Sequence, residues 1–225
     1  MITLALDTST ARGAVALLRD DQPLGEIPFS REPRHDQLFA AIQQSLAEQK
    51  VAPSAIDLFV VGLGPGSFTG IRAGLAAIQG LALPYARPIT GLPSYDAIAL
   101  TAAPRIPPDC PQLCVLGDAR QQEVYYALYD RAGRPTRPCR LAPFEAIADE
   151  IHDPLWFVSA EIDRFAPAVR ELLGGFAVIC PEPVYPSAAA LGWLGQQQFH
   201  RAQQPDNATL EPLYLRETQY RKTSS

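Results

Sequence analysis

Asp57-Leu58-Phe59-Val60-Val61-Gly62-Leu63-Gly64-Pro65-Gly66-Ser67-Phe68-Thr69-Gly70-Ile71-Arg72-Ala73-Gly74-Leu75 reads as a strand, a glycine turn and a helix in immediate succession. The unbroken apolar run at 57–63 is what a strand buried on both faces of a sheet requires. The turn falls where phosphate loops sit, after a strand and before a helix. No Lys follows its last glycine, its glycines are not spaced as a dinucleotide fingerprint, and Ser67 lacks the flanking glycines of a nucleophile elbow. A packing role fits better. The helical pattern spans 69–83 and Pro84 closes it. Gly66, Gly70 and Gly74 recur every four residues and form a smooth stripe on a helix. Ile71, Ala73, Leu75, Ala76, Ala77, Ile78 and Leu81 cover nearly all the rest, with Arg72 and Gln79 as the long polar residues. A helix apolar on every side is expected to be buried on every side. One face suits the sheet; the other needs a second helix, such as that at 36–46, or a partner chain.

Outward from this unit the same logic extends to both ends. Strands are expected at 2–6, 13–18 and 24–29, and a helix at 34–49, where Leu38, Ala41, Ile42 and Leu46 fall at helical spacing. A strand at 88–90 and a helix at 94–102 follow. The order β-β-β-α-β-α-β-α is that of a ribonuclease-H-like lobe, a mixed sheet with helices on its faces. Residues 102–111 are dense in proline and break the pattern, so the chain is divided there into lobes 1–103 and 104–225. The second half repeats the order: strands at 113–116, 123–129 and 137–141, a helix after Pro143, then a strand at 155–159, a helix at 163–173, a strand at 176–179 and a helix at 187–200. A short extended piece at 210–216 precedes a polar tail. The expected class is α/β, two ribonuclease-H-like lobes with mixed sheets, in the manner of actin-like (ASKHA) ATPases.

Composition excludes several functions. The 225 residues carry 19 Lys+Arg against 24 Asp+Glu, a net charge of -5, which disfavours a chain that grips nucleic acid alone. The N-terminus lacks the basic start of a signal peptide, and no apolar run approaches the roughly 20 residues of a membrane helix. The four cysteines form no CxxC pair and read as reduced thiols of a cytoplasmic protein. His35, His152 and His200 have no His or Cys partner at helical spacing, and Phe39 stands four residues after His35, so no metal site is expected. Asp7-Thr8-Ser9 sits where actin-like ATPases hold magnesium and phosphate, yet it also reads as a hydrogen-bonded Asx turn. Asp118 and Arg120 read as a turn ion pair. No Ser/His/Asp or Cys/His arrangement can be assembled.

The run from Gly64 to Leu75, continuing to Gln79-Gly80-Leu81-Ala82, resembles the signature of the bacterial TsaB (YeaZ) family. Leu4-Ala5-Leu6-Asp7-Thr8-Ser9, Asp118-Ala119-Arg120 with Glu123-Val124-Tyr125, and Pro212-Leu213-Tyr214-Leu215-Arg216 match at the expected positions, so the resemblance spans nearly the whole chain. It implies a two-lobed actin-like fold and a part in forming N6-threonylcarbamoyladenosine at position 37 of tRNAs that read codons beginning with A. It implies a non-catalytic scaffold that pairs with a TsaD-type paralogue, the catalyst and holder of the metal. A TsaE-type ATPase joins the pair, tRNA is reached through the partner, and a similar face supports homodimers.

The first-lobe helices would form the interface, with Gly66, Phe68, Gly70, Ile71, Gly74, Leu75 and Ile78 from one helix and Leu38 and Ile42 from the other. Asp7, Ser9 and Arg72 would approach a nucleotide held between subunits. No cofactor is expected on this chain alone; ATP or ADP with magnesium belongs to the assembled complex, because relatives usually carry glycines where this chain has Ser159-Ala160-Glu161. Two rival readings are a stand-alone phosphotransferase, which needs a glycine phosphate loop in each lobe, and an M22-type metallopeptidase, which needs the missing histidines.

Overall fold

A computed structural model describes residues 1–30, 37–201 and 210–215. Strands β1 (Ile2–Asp7), β2 (Arg12–Arg19) and β3 (Gln22–Ser30) form an antiparallel meander, and β4 (Leu58–Gly62) and β5 (Ile89–Leu92) extend it in parallel from β1. The sheet order is β3-β2-β1-β4-β5. In the second half β6 (Gln112–Asp118), β7 (Glu123–Asp130) and β8 (Pro135–Pro143) again form a meander, and β9 (Leu155–Val158) and β10 (Ala177–Ile179) again add in parallel. The second order, β10-β9-β6-β7-β8, is the first read from the other edge. Two copies of one mixed topology therefore build the chain, as its order of elements predicts.

The helices are α1 (Leu38–Glu48), α2 (Phe68–Ala82), α3 (Ser94–Ala102), α4 (Phe144–Ala148), α5 (Ile162–Leu173) and α6 (Ala188–Arg201). The helix expected from residue 34 begins at Leu38; positions 34–36, His35 among them, lie outside the described residues, as does Arg216. Helices α1 and α2 both lie on one face of the first sheet, where Leu38, Ile42, Leu75 and Ile78 meet Leu4, Leu6, Phe59 and Val61. Helices α4 and α5 cover the outer face of the second sheet through Ile147, Phe165 and Val169.

The inner faces are covered crosswise. Helix α3, which leaves the first sheet, packs Tyr95, Ile98 and Ala102 on Leu113, Val115 and Trp156 of the second. Helix α6, which leaves the second sheet, lays Ala188 and Leu191 on Ala5, Ala16, Leu18 and Val60 of the first. A cut at 103/104 thus separates the sheets but not the layers. Gly192 and Gly195 make the approach of α6 possible: a Cβ at either would fall 2.4 Å from Leu18 Cδ1 or Val60 Cγ2. Glu26 of β3 caps this helix, its Oε2 accepting from Ser187 Oγ at 2.7 Å and the Ala189 amide at 2.9 Å.

One side chain makes several bonds to the proline-dense connector at 102–111. The Arg131 guanidinium donates to the carbonyls of Pro107 at 2.8 Å and Cys110 at 2.5 Å, with longer bonds to Pro108 and Ile106. All four cysteines are free thiols. Among the described residues no helix is long and apolar enough to cross a membrane, and no group of His, Cys, Asp and Glu could hold a metal.

The glycine stripe of α2 faces inward, which corrects its expected role as a docking surface. Gly70, Ile71, Gly74, Leu75 and Ile78 are all buried in this chain, and so are Leu38 and Ile42 of α1. The stripe receives the turn after β1: a Cβ on Gly74 would fall 2.2 Å from Thr8 Oγ1, and one on Gly66 2.2 Å from the Ser9 carbonyl oxygen. The close approach foreseen for a second subunit is taken by this chain's own first turn.

Candidate functional site

The lobes enclose a cleft of about 580 Å³. Its first-lobe wall is the β1–β2 turn at Ser9 and Thr10 together with the loop at 65–69; its second-lobe wall is the β6–β7 turn at Asp118–Arg120 and the start of α5 at Ser159–Glu161. Tyr95 of α3 closes the floor.

The first wall is held by local chemistry. Asp7 ends β1 and is 1% exposed. Its Oδ1 accepts from the Ser9 amide at 2.8 Å and the Ser9 hydroxyl at 2.7 Å, the Asx turn that the sequence allows. Its Oδ2 lies against Gly62, where a Cβ would fall 1.9 Å away. Thr8 Oγ1 donates to the Gly70 carbonyl at 2.8 Å, and the Ser67 amide donates to the Ser9 carbonyl at 2.7 Å. Ser67 Oγ accepts from the Gly70 amide and so caps α2. Ser94, at the start of α3, exchanges hydrogen bonds with the backbone of Gly64.

The second wall is charged. Asp118 lies between Arg164 of α5, at 2.6 Å, and Arg120, at 3.4 Å. Burial alone would raise its carboxyl, but the Arg120 amide and the Arg164 guanidinium outweigh that and hold it below the usual range. Arg120, Gln121 and Gln122 all have positive φ, at 67°, 54° and 63°, so this turn is a left-handed bend built without glycine. At the start of α5 the Glu161 amide donates to Ser159 Oγ at 2.9 Å and the Glu161 carboxylate is exposed at the cleft. Tyr95 is fully enclosed, and burial pushes its hydroxyl well above the ordinary range; that oxygen sits where a Cβ on Gly117 would be, 1.9 Å away.

The residues singled out from sequence divide three ways. Ser9, Gly66 and Phe68 line the cleft, with Asp7 directly behind Ser9. The inward members of α1 and α2 belong to the core. Arg72 points away from the cleft: its Nε donates to Tyr214 Oη at 2.8 Å and its guanidinium carbon lies 3.9 Å from the centre of the Phe68 ring. Sequence reasoning missed Arg164, and it quoted Tyr214 as part of a signature without pairing it to Arg72; these contacts span 46 and 142 residues of chain, so no local pattern signals them. On the outer side of α1 and α2 it named Phe68 for the interface but not Phe39 or Leu83. Phe39 is 64% exposed, Phe68 54% and Leu83 81%, and Ala40, Ala76 and Gly80 are exposed as well.

Comparison with known proteins agrees with this geometry. The family profile of TsaD, tRNA N6-adenosine threonylcarbamoyltransferase, matches residues 23–153. An uncharacterized protein of Mycobacterium tuberculosis is 32% identical over 220 residues, 95% of this chain and 90% of its own length. The tRNA threonylcarbamoyladenosine biosynthesis protein TsaB of Bacillus subtilis is 27% identical over 224 residues, 96% of this chain and 94% of its own. The solved structure of YeaZ from Pseudomonas aeruginosa superposes with a TM-score of 0.78 at 26% identity, covering 95% of this chain and 99% of that one. A dehydratase component of Acidaminococcus fermentans, at 9% identity and a TM-score of 0.53, shares the fold alone. The sequence signature, the doubled topology and these relatives converge: the chain belongs to the TsaB/YeaZ family of tRNA threonylcarbamoyladenosine biosynthesis proteins.

Proposed function

We propose that this chain is a non-catalytic scaffold and activator subunit of the complex that forms N6-threonylcarbamoyladenosine in tRNA, and that it acts by pairing with a TsaD-type catalytic paralogue. The observation that carries the reading is the outer face of α1 and α2. Three large apolar side chains, Phe39, Phe68 and Leu83, stand more than half exposed, and the same helices expose small residues at Ala40, Ala76 and Gly80. An apolar face of this kind is the mark of an association surface. A partner built on the same fold presents helices of its own, and small residues such as Ala76 and Gly80 suit helix-on-helix contact.

The cleft supports the non-catalytic half of the reading. A triphosphate needs free amides and positive charge on both walls. Here the Ser9 amide is spent on Asp7, and on the second wall the Arg120 guanidinium is already paired with Asp118 and the Glu161 carboxylate adds negative charge. These groups do not fit a triphosphate, so nucleotide and magnesium are assigned to the assembled complex. A TsaE-type ATPase joins it there. Contact with tRNA falls to the partner, in keeping with a net charge of -5. The same face would serve a homodimer of the free chain.

Co-elution with the TsaD-type paralogue on a sizing column tests this directly. The expected result is a stable complex that is lost when Leu83 is changed to Asp, with tRNA modification requiring both proteins. Modification of tRNA by this chain alone, or no complex at micromolar concentrations, would overturn it.

A further inference from the structure

The segment 210–215 follows α6 in the chain, yet it does not stay on the face of the sheet that α6 covers. Leu210 and Leu213 pack into the core under α1 and α2, on the opposite face. Leu210 reaches Gly91 of the edge strand β5: a Cβ on Gly91 would fall 2.8 Å from Leu210 Cδ2. The Leu213 amide then donates to the Leu63 carbonyl at 2.9 Å, the last residue before the glycine loop. One residue on, Tyr214 Oη accepts from Arg72 Nε at 2.8 Å, and its ring lies 5.7 Å from that of Phe68. Arg72 completes the cluster by lying over the Phe68 face.

These contacts bracket one short stretch. Leu63 precedes the 64–67 loop and Phe68 follows it, and the strap holds both. Between the two anchors the loop makes its bonds to the cleft turn through Ser67 and Ser9. We propose that Leu210–Leu215 is a latch that fixes the first-lobe wall of the cleft, with Arg72 and Tyr214 as positioning residues acting through Phe68. The latch lies within this chain and shares Phe68 with the docking face proposed above.

The cluster is suited to this task. A guanidinium over an aromatic face combines electrostatic attraction with packing, and a hydrogen bond from a charged donor is stronger than a neutral one. Tyr214 is 49% exposed, so its truncation leaves the core intact and reports on the latch.

The test is amide hydrogen exchange on the full chain, comparing wild type with Tyr214→Ala and Tyr214→Phe. In Tyr214→Ala the amides of residues 64–70 are expected to exchange about tenfold faster, equivalent to 1.4 kcal/mol of lost protection, while 113–116 in the second sheet stay unchanged. Tyr214→Phe keeps the ring and loses the hydroxyl, so it should fall between the two. Unchanged exchange at 64–70 in Tyr214→Ala, or an equal rise in both lobes, would overturn the proposal. Arg72→Met provides the second reading: it removes the cation from the Phe68 side, and it too must accelerate 64–70 and leave 113–116 alone.

Discussion

Gly74 and Thr8 touch so closely that a Cβ on residue 74 would fall 2.2 Å from Thr8 Oγ1 and 3.3 Å from its Cβ and Cγ2. The Thr8 hydroxyl is engaged with the Gly70 carbonyl, so it cannot swing aside without losing a buried hydrogen bond. Gly74→Ala is expected to destabilise the chain by about 1–3 kcal/mol, the range for overpacking. Urea unfolding measures this. Combining it with Thr8→Ala should recover part of the loss; strict additivity of the two would mean that they do not share the contact.

Gly80 lies in the same helix, and a Cβ added there would meet nothing within 4 Å. Gly80→Ala should therefore stabilise the isolated chain by about 0.5–1 kcal/mol through helix propensity. If the outer face of α2 docks a partner, Ala76→Arg should leave stability within about 0.5 kcal/mol, as exposed substitutions do. The same change should weaken the complex by at least tenfold, about 1.4 kcal/mol. Titration calorimetry with the paralogue reads this, and undiminished affinity would move the interface elsewhere.

Arg131→Ala strips the connector at 102–111 of its shared donor. Leaving the carbonyls of Pro107 and Cys110 without that charged partner is expected to cost about 1–3 kcal/mol. The loss should appear in urea unfolding as a lower midpoint, and Arg131→Lys should restore only part of it, because an ammonium lacks the planar fork.

Two carboxyl groups should respond to acid in opposite directions. Asp118 is held below the usual range against the opposing effect of burial, so its stabilising contribution is present above about pH 4, the ordinary Asp value, and is lost as pH falls through its lower folded value. Asp96 is raised by burial, only partly offset by the hydrogen bond from Tyr129 Oη at 2.9 Å. It favours the fold most when protonated, and that contribution is lost as pH rises through its raised folded value. Asp118→Asn should therefore flatten the acid limb of a stability–pH curve. Asp96→Asn should raise stability toward neutral pH relative to wild type. Denaturant midpoints taken from pH 3 to 7 check both signs.

Much of the architecture was legible because each element carries its own period. The all-buried pattern of Leu58–Gly62 appears in the sequence as an unbroken apolar run, and α5 appears as helical spacing. The facing of α2 was not legible. A stripe of glycines states which positions share a side of a helix and leaves open whether that side meets another chain or, as here, Thr8 and Ser9 of its own. The exchange of α3 and α6 is hidden for a similar reason: Ala188 and Leu191 announce an apolar face, and nothing in their spacing names the sheet that receives it. At the cleft, the Asx turn of Asp7 follows from adjacent residues, whereas the Arg164–Asp118 and Arg72–Tyr214 contacts join segments remote in sequence.

The crosswise covering also orders events on the ribosome. Ala5, Ala16, Leu18 and Val60 are synthesised early, yet the helix that shields them spans Ala188–Arg201. Until α6 is made, the first sheet carries one bare greasy side, and it can mature only after Arg201 has emerged. A nascent chain in that condition is a natural client for chaperones, and a premature stop anywhere before Ala188 would leave a product whose opening half is complete in sequence but unfinished as a structure.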